Sequence, residues 1–547
     1  MPEPAVPQQL QTALQRWRTV LGPERVVSDA ARLDGYTDST ASWSTRPLAV
    51  LFPASTQHVV ALVGVAADCG IALYPLSTGR NWGYGDACAP GDGQVIVDLG
   101  GMNRIVEADA TLAYVVIEPG VTQRQLSEYL RDHDLPLWMD CTGAGPDTSL
   151  VGNILERGFG HSPYGNRLQH VCGMEVVLAN GDIVRTGFSH YPQARNARVF
   201  PYGLGPALDG MFTQANFGIV TRVGLWLMPK TAAINHFLCV LDRHEQIGPV
   251  VDALRPLRLD GTLRSILHIG NDLRVLSGGT VYPHERAGGV TPLPPSLRAA
   301  MRAEAGVGAW TVSGALYGSV AQVALARRAV RHALRASGVR AQFLDERKLA
   351  LGAWAARLLG QSAAGRKLAA KIALGQSLFE MNRGIPNGRF LAGAYWRRRG
   401  GLPPGFPVGA NPARDNCGLL WVSPVLPMQG EALLALHALA EPIFVRHGFD
   451  LFVTFSMINE RALGGVVTVA YDKDDPAEVA RATLCYRELF HAVMDAGYIP
   501  YRVGLQSMGE LDPDGDPYWR TVARLKTALD PDNIIAPGRY QPPSRAL

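Results

Sequence analysis

Residues 48–52 (Leu-Ala-Val-Leu-Phe) form an apolar run of strand length, the first clear element of the chain. Pro53-Ala54-Ser55-Thr56 then predicts a helix start, with Val59, Leu62, Val63 and Ala66 as its buried face and Gly70 as its end. Further strands are predicted at 71–76, 94–99 and 114–118, the last stopped by Pro119-Gly120. Residues 174–179 and 183–186 flank Asn180-Gly181, which predicts a hairpin with a two-residue turn. This first part reads as α+β, with strands dominating its middle.

From about residue 231 the texture changes. Strand-like runs at 236–241, 419–425, 451–455 and 466–471 alternate with helical stretches rich in alanine and arginine, such as 321–336. The pattern predicts a second α+β domain whose sheet is covered on one side by helices. Its last helix is signalled by Asp475 as N-cap, Pro476 at the first position and Glu478 at the third, with Gly497 as its stop. Arg397-Arg398-Arg399 reads as a solvated basic loop.

Composition narrows the class without naming a function. A chain of 547 residues exceeds one core, so at least two domains are expected. With 47% hydrophobic and 18% charged residues it is not disordered. A net charge of +4, from 52 basic and 48 acidic residues, gives no warrant for nucleic acid or an anionic membrane as partner. The start, MPEPAVPQQL, has no basic-then-apolar signal region, and no apolar run reaches the ~18 residues of a membrane span, so a cytoplasmic protein is expected. Seven scattered cysteines without C-x-x-C and histidines without H-E-x-x-H spacing predict neither a disulfide framework nor a metal site.

Four glycine-rich or polar stretches carry the chemistry. The first, Ser77-Thr78-Gly79-Arg80-Asn81-Trp82-Gly83-Tyr84-Gly85, follows a strand; its glycines let backbone N–H groups turn inward on an anion. It has neither Rossmann nor Walker A spacing. The others are Cys141–Asn153, Gln214–Val220 and Asp530–Arg539.

In this order, the four stretches resemble the FAD-linked oxidoreductases of the vanillyl-alcohol oxidase and p-cresol methylhydroxylase type. The resemblance covers most of the chain and is strongest in its first 230 residues. It implies a two-domain α+β flavoprotein: an FAD domain at 1–230, a cap over the flavin ring at 231–490, and a segment at 491–547 returning to the FAD domain. It implies that FAD is held by Ser77, Thr78, Gly79, Arg80, Asn81 and Gly83, by Thr148, Ser149, Gly152 and Asn153, by Gly218, Ile219 and Val220, and by Arg539. It also places a phenol pocket on Tyr84, Tyr501 and Arg502. The chemistry supports that trio: a phenol has a pKa near 10, so holding it as phenolate at neutral pH needs a cation and hydroxyl donors around its oxygen. A small phenolic substrate, dioxygen or an electron-carrier protein as acceptor, and a homodimer are the partners the resemblance implies.

Departures from the family pattern shape further expectations. The position of the usual covalent flavin link falls on Leu419, which cannot form one; Cys417 is nearby, but a buried inert cysteine is the preferred reading. Non-covalent FAD is therefore expected. The carboxylate near flavin N5 falls on Ala144, leaving Asp147 as a replacement or as a turn cap. His161 replaces a pocket tyrosine, as a base or relay with a pKa near 6.5 or as a structural histidine. Gly464-Gly465 replaces a histidine pair, which predicts a wider cavity. The expected activity is hydride removal from the benzylic carbon of a para-substituted phenol through a p-quinone methide. An oxidoreductase of the same fold acting on a 2-hydroxy acid or a non-phenolic biosynthetic intermediate, or a non-catalytic flavin-binding protein, are the alternatives.

Overall fold

The computed structural model describes residues 8–511 and 516–541; residues 1–7, part of the opening segment read above, lie outside them. The first sheet orders its strands Val26–Val27, Ala49–Leu51, Val95–Asp98 and Leu73–Leu76, with the last three parallel. Helix Thr56–Cys69 crosses between two of them. Ser55 Oγ caps it by accepting the His58 N–H at 3.2 Å, and Gly70 ends it in the left-handed conformation at φ 64°.

A second, antiparallel sheet holds Ile105–Asp109, Tyr114–Ile117, Ile219–Trp226, Val171–Val177 and Ile183–Arg185 in that order. Its hairpin differs from the expected two-residue turn. Leu178 N–H donates to Asp182 O at 2.9 Å, so three residues, 179–181, form the loop. Only Gly181 takes a positive φ (85°), whereas the shorter turn would need Asn180 there as well.

The C-terminal residues return to the first sheet. Leu73 N–H donates to Ile534 O at 2.8 Å and Ala536 N–H to Leu73 O at 2.7 Å. Lys526 pins this return by donating to Asn216 O (2.8 Å) and Ile535 O (2.7 Å) while paired with Asp530.

The largest sheet is antiparallel, in the order Ala341–Leu344, Ala233–Leu241, Trp310–Gly318, His268–Asn271, Phe452–Met457, Ala462–Asp472 and Cys417–Val422. Period-2 alternation divides its faces. Ile269, Val312, Leu420, Val453, Phe455, Val467 and Val469 point into a core shared with helices Ile247–Leu259, Gly430–Arg446 and Pro476–Asp495. Their neighbours His268, Thr311, Ser313, Leu419, Trp421, Thr454 and Ser456 line a cavity on the other face. Each buried valine or phenylalanine stabilises by about 1.5–3 kcal/mol, and a one-residue slip would exchange the faces. The register that builds the core therefore also builds the cavity roof.

The Arg397-Arg398-Arg399 run is not a solvated loop. Arg397 is buried, donates to both Glu478 oxygens at 2.8 Å and lies 3.9 Å over the Tyr282 ring. Arg399 pairs with Asp472 at 2.7 Å, and Arg398 donates to Asp415 O at 2.8 Å. Arg397 and Arg399 clamp this loop to the start of helix Pro476–Asp495 because carboxylates from distant segments meet them there, while Arg398 braces the loop on the Asp415 and Gly401 carbonyls.

Candidate active site

A cavity of about 420 Å³ runs between the glycine-rich loops and the large sheet. Its floor begins where strand Leu73–Leu76 opens into residues 77–81. The backbone N–H groups of Thr78, Gly79, Arg80 and Asn81 donate to no described residue. Four successive amides without an acceptor form a nest that calls for an anion. Ser149 N–H donates to Thr78 Oγ1 at 3.2 Å and Ser149 Oγ to Pro119 O at 2.6 Å, which ties the second loop to the first. A Cβ on Gly152 would stand 2.4 Å from Ser77 Oγ, so glycine here lets the two segments meet without turning Ser77 away. This arrangement fits the diphosphate of a dinucleotide such as FAD.

Most residues expected to hold the cofactor line this cavity: Ser77, Thr78, Gly79, Arg80, Asn81, Thr148, Ser149, Gly152, Asn153, Gly218, Val220 and Arg539. Two do not. Gly83 packs under Trp421, where a Cβ would lie 2.8 Å from the indole, and Ile219 points into the core of the first sheet.

Tyr84, Tyr501 and Arg502 line the same cavity although 417 residues separate the first two in sequence (501 minus 84). The Arg502 guanidinium lies 3.7 Å over the Tyr84 ring and donates to Asn81 Oδ1. The Tyr84 hydroxyl bonds Ser423 Oγ, and Phe159 packs on Tyr501 at 5.7 Å between ring centres. Burial pushes the Tyr84 phenol well above its ordinary pKa, and Tyr501 adds to the rise while Arg502 opposes it. Burial alone would lower Arg502, but the two tyrosines outweigh it and the guanidinium titrates above its ordinary value. Glu156 accepts from Arg539 and from the Tyr540 hydroxyl at 3.0 Å, and stands 3.8 Å from Arg502. One carboxylate between two guanidiniums leaves this end of the cavity net positive.

Asp147 does not reach the cavity. Arg124 holds its carboxylate at 2.9 Å and Arg80 approaches it at 3.9 Å, so its charge is already used on the far side of the loop. His161 does line the cavity, but burial, helped by the charges of His236 and Arg167, drops its pKa to about 3. It is a neutral ring at neutral pH, where 6.5 was expected. Its ring packs tilted against His268, 4.1 Å between centres, and His268 bonds Ser456 Oγ at 2.9 Å and Gly160 O at 3.2 Å. Gly464 shares the strand face of the cavity-lining Val466 and Thr468, and a Cβ there would meet Ile458 at 3.2 Å and the cavity-lining Phe159 at 3.5 Å; Gly465 is on the opposite face, where a Cβ would meet Pro424 at 3.2 Å. Leu419 is buried in the cavity wall, and burial pushes the Cys417 thiol up to about 12, which leaves it protonated and unreactive.

Asp140 and Arg167 position this end of the site. Arg167 Nε donates to Asp140 Oδ2 at 2.9 Å, and its Nη1 to Asn153 Oδ1 at 3.0 Å. Asp140 Oδ1 accepts the N–H groups of His161 (3.0 Å) and Ser162 (2.9 Å). Sequence reasoning missed Asp140, Glu156, His268, Arg274 and Asp86, a buried carboxyl in the cavity wall whose pKa desolvation pushes up to about 7. Glu156 and Asp86 sit within or just past the cofactor loops, a signal that could have found them; His268 and Arg274 have none.

The neutral histidines make acid stability a test. Unfolded histidine takes a proton near pH 6.5, whereas burial holds His161 near 3 and His236 near 4, and His268 well below 6.5. Between these limits the unfolded chain binds more protons, so this stability is complete above about pH 6.5 and declines as pH falls. His437, also lowered to about 4 by burial, adds to the trend. The apparent melting temperature is expected to drop from pH 6.5 towards 4, less steeply in His161→Asn; a flat profile would contradict the buried neutral cluster.

Among the described residues, no helix is long and apolar enough to cross a membrane. Residues 47–187 match the FAD binding domain family. The chain is 38% identical over 536 residues to the 1'-carboxy-chondrochloren decarboxylase of Chondromyces crocatus, covering 97% of each. It is 32% identical over 531 residues to the 4-cresol dehydrogenase [hydroxylating] flavoprotein subunit of Pseudomonas putida, covering 96% of this chain and 94% of that one. A crystal structure of p-cresol methylhydroxylase with substrate bound superposes with a TM-score of 0.86 at 30% identity, over 99% of this chain and 98% of that one. With the amide nest, the positive tyrosine-lined end and likeness along its whole length, this chain belongs to the p-cresol methylhydroxylase type of FAD-dependent oxidoreductases.

Proposed function

We propose that the enzyme oxidises a para-substituted phenol at its benzylic carbon. The observation that carries this reading is the meeting of Arg502, Tyr84 and Tyr501 at the net-positive end of the cavity. Arg502 and the two hydroxyls receive the phenolic oxygen and stabilise it as phenolate. Ring electrons then flow towards the para carbon and favour loss of hydride from its substituent, producing a p-quinone methide. FAD, when bound, supplies the two-electron acceptor for that step. Trp421, Phe159 and Phe390 line the cavity with apolar surface that keeps water from the phenolate. His161, neutral and with its ring unbonded to any described residue, serves as a relay to a water or substrate hydroxyl rather than as a titrating base. Dioxygen or an electron-carrier protein is the proposed acceptor, and a homodimer the proposed assembly.

A panel of substrates under anaerobic conditions tests the reading. 4-Alkylphenols should bleach the flavin and 2-hydroxy acids should not; the reverse result would transfer the enzyme to the hydroxy-acid class.

The flavin is proposed to be held without a covalent bond, because Leu419 has no nucleophile and Cys417 is protonated. Acid precipitation should leave the yellow colour in the supernatant, and colour in the pellet would overturn this.

The relative named as a decarboxylase favours a second fate for the quinone methide. When the carbon next to the benzylic position carries a carboxylate, the bond to it can break, release carbon dioxide and return its electron pair through the new alkene to the ring as phenolate. Product analysis separates this outcome, an alkenylphenol plus carbon dioxide, from addition of water, which gives a benzylic alcohol.

A further inference from the structure

Arg274 lines the cavity from the cap side, and its guanidinium neither hydrogen-bonds nor ion-pairs with any described residue. Three almost wholly buried arginines, by contrast, find acceptors. Arg167 and Arg397 each pair with a carboxylate, and Arg258 donates to Leu263 O and Ser265 O at 2.8 and 2.7 Å. A buried cation without a counter-charge is costly and persists where a ligand supplies the missing anion.

The surroundings are built to hold Arg274 in place. Asn271 Oδ1 accepts its backbone N–H at 3.0 Å, and Asn271 Nδ2 is tied to Leu451 O at 2.7 Å. Its guanidinium lies 5.6 Å from the centre of the Phe452 ring. A Cβ on Gly393 would lie 2.5 Å from Arg274 Nη1, so the glycine leaves room for the guanidinium. Nearby His161 and His268 are neutral and cannot serve as counter-ions. Desolvation alone brings the Arg274 pKa down to about 10, still fully charged at neutral pH.

We propose that Arg274 anchors a carboxylate carried on the side chain of the substrate. With Arg502 at the phenol end, the cavity then has two cations for a molecule with two anionic groups, a 4-hydroxyphenyl compound whose alkyl chain bears a carboxylate. This inference rests on the phenol reading for the identity of the ring, while the carboxylate preference stands on Arg274 alone.

The test uses the holoenzyme and equilibrium binding read from flavin absorbance. The probes are 4-hydroxyphenyl acetate, propanoate and butanoate, each beside its neutral carboxamide, together with 3-phenylpropanoate, which lacks the phenol. At least one carboxylate should bind more tightly than its amide, and Arg274→Gln should weaken that carboxylate by about 30-fold or more with little effect on the amide. Arg274→Lys should keep part of the preference, and Gly393→Ala, which displaces the guanidinium, should lose it; these two variants serve if Arg274→Gln does not fold. Equal binding of every acid and amide in the unmodified enzyme would overturn the proposal. So would a preference that survives in Arg274→Gln, or a loss of FAD and of both ligand types alike. If 3-phenylpropanoate binds as well as its phenolic counterpart and still depends on Arg274, the phenol reading fails and the carboxylate anchor stands.

Discussion

Arg502→Gln is expected to lower kcat/KM for 4-alkylphenols by about 10²–10³-fold, the size of effect seen when one preorganised donor to a developing oxyanion is removed. Arg502 is buried, so its charge acts through little water, and it faces Tyr84 at 3.7 Å. Glutamine keeps a donor near Asn81 but removes one of the two charges that balance Glu156, which then retains Arg539 as its one cation beside the Tyr540 hydroxyl. The variant should also lose the spectral change of bound phenolate, moving phenol binding towards the neutral form and towards higher pH. Tyr501→Phe, which removes one hydroxyl and no charge, should cost less. Steady-state kinetics of both variants with one 4-alkylphenol decides the matter, and undiminished turnover in both would remove the trio from the mechanism.

Asp140→Ala is expected to destabilise the fold by about 3–5 kcal/mol, because it strands the Arg167 charge in the interior. Both side chains are almost wholly buried, at 4% and 2% exposure. The carboxylate also accepts two backbone N–H groups, from His161 and Ser162, that have no other acceptor. A protein of two domains need not unfold in one step, so the readout is the transition of the part that contains this pair. Combining Asp140→Leu with Arg167→Met should recover part of the loss, since an apolar pair of similar size leaves no charge uncompensated. A single variant within about 1 kcal/mol of the parent would show that water reaches the pair. Because Arg167 also holds Asn153 and Asp140 holds the His161 backbone, the double variant should remain impaired in cofactor retention even where stability returns.

Local elements were legible wherever one residue type has one physical use. Ser55 and Gly70 bound a helix because a side-chain oxygen must satisfy a free N–H at one end and a left-handed residue must close the other. Asp475 and Pro476 mark the start of the helix before Tyr501 in the same way. Glu478 shows the limit: its place in the first turn is that of a capping residue, but its carboxylate is taken by Arg397. Asp147 shows the same limit at the site, since neither of its arginine partners is identifiable from the Thr-Ser that follows it. Of the Gly464-Gly465 pair only Gly464 shares the face of the cavity-lining Val466 and Thr468, because neighbouring strand residues point to opposite faces.

What the sequence determined by itself was the resemblance to a flavin framework, carried by four glycine-rich or polar stretches in their order along the chain, and the presence of Tyr84, Tyr501 and Arg502. Tertiary structure decided which charges are free to act. Asp147, Arg397 and Arg167 are neutralised by carboxylates or guanidiniums far away in sequence, His161 loses its proton to burial, and Arg274 is left as a cation without a counter-ion among the described residues. The reason is physical: a backbone conformation depends on a few adjacent residues, whereas the state of a charge depends on everything that folding brings within several ångströms of it.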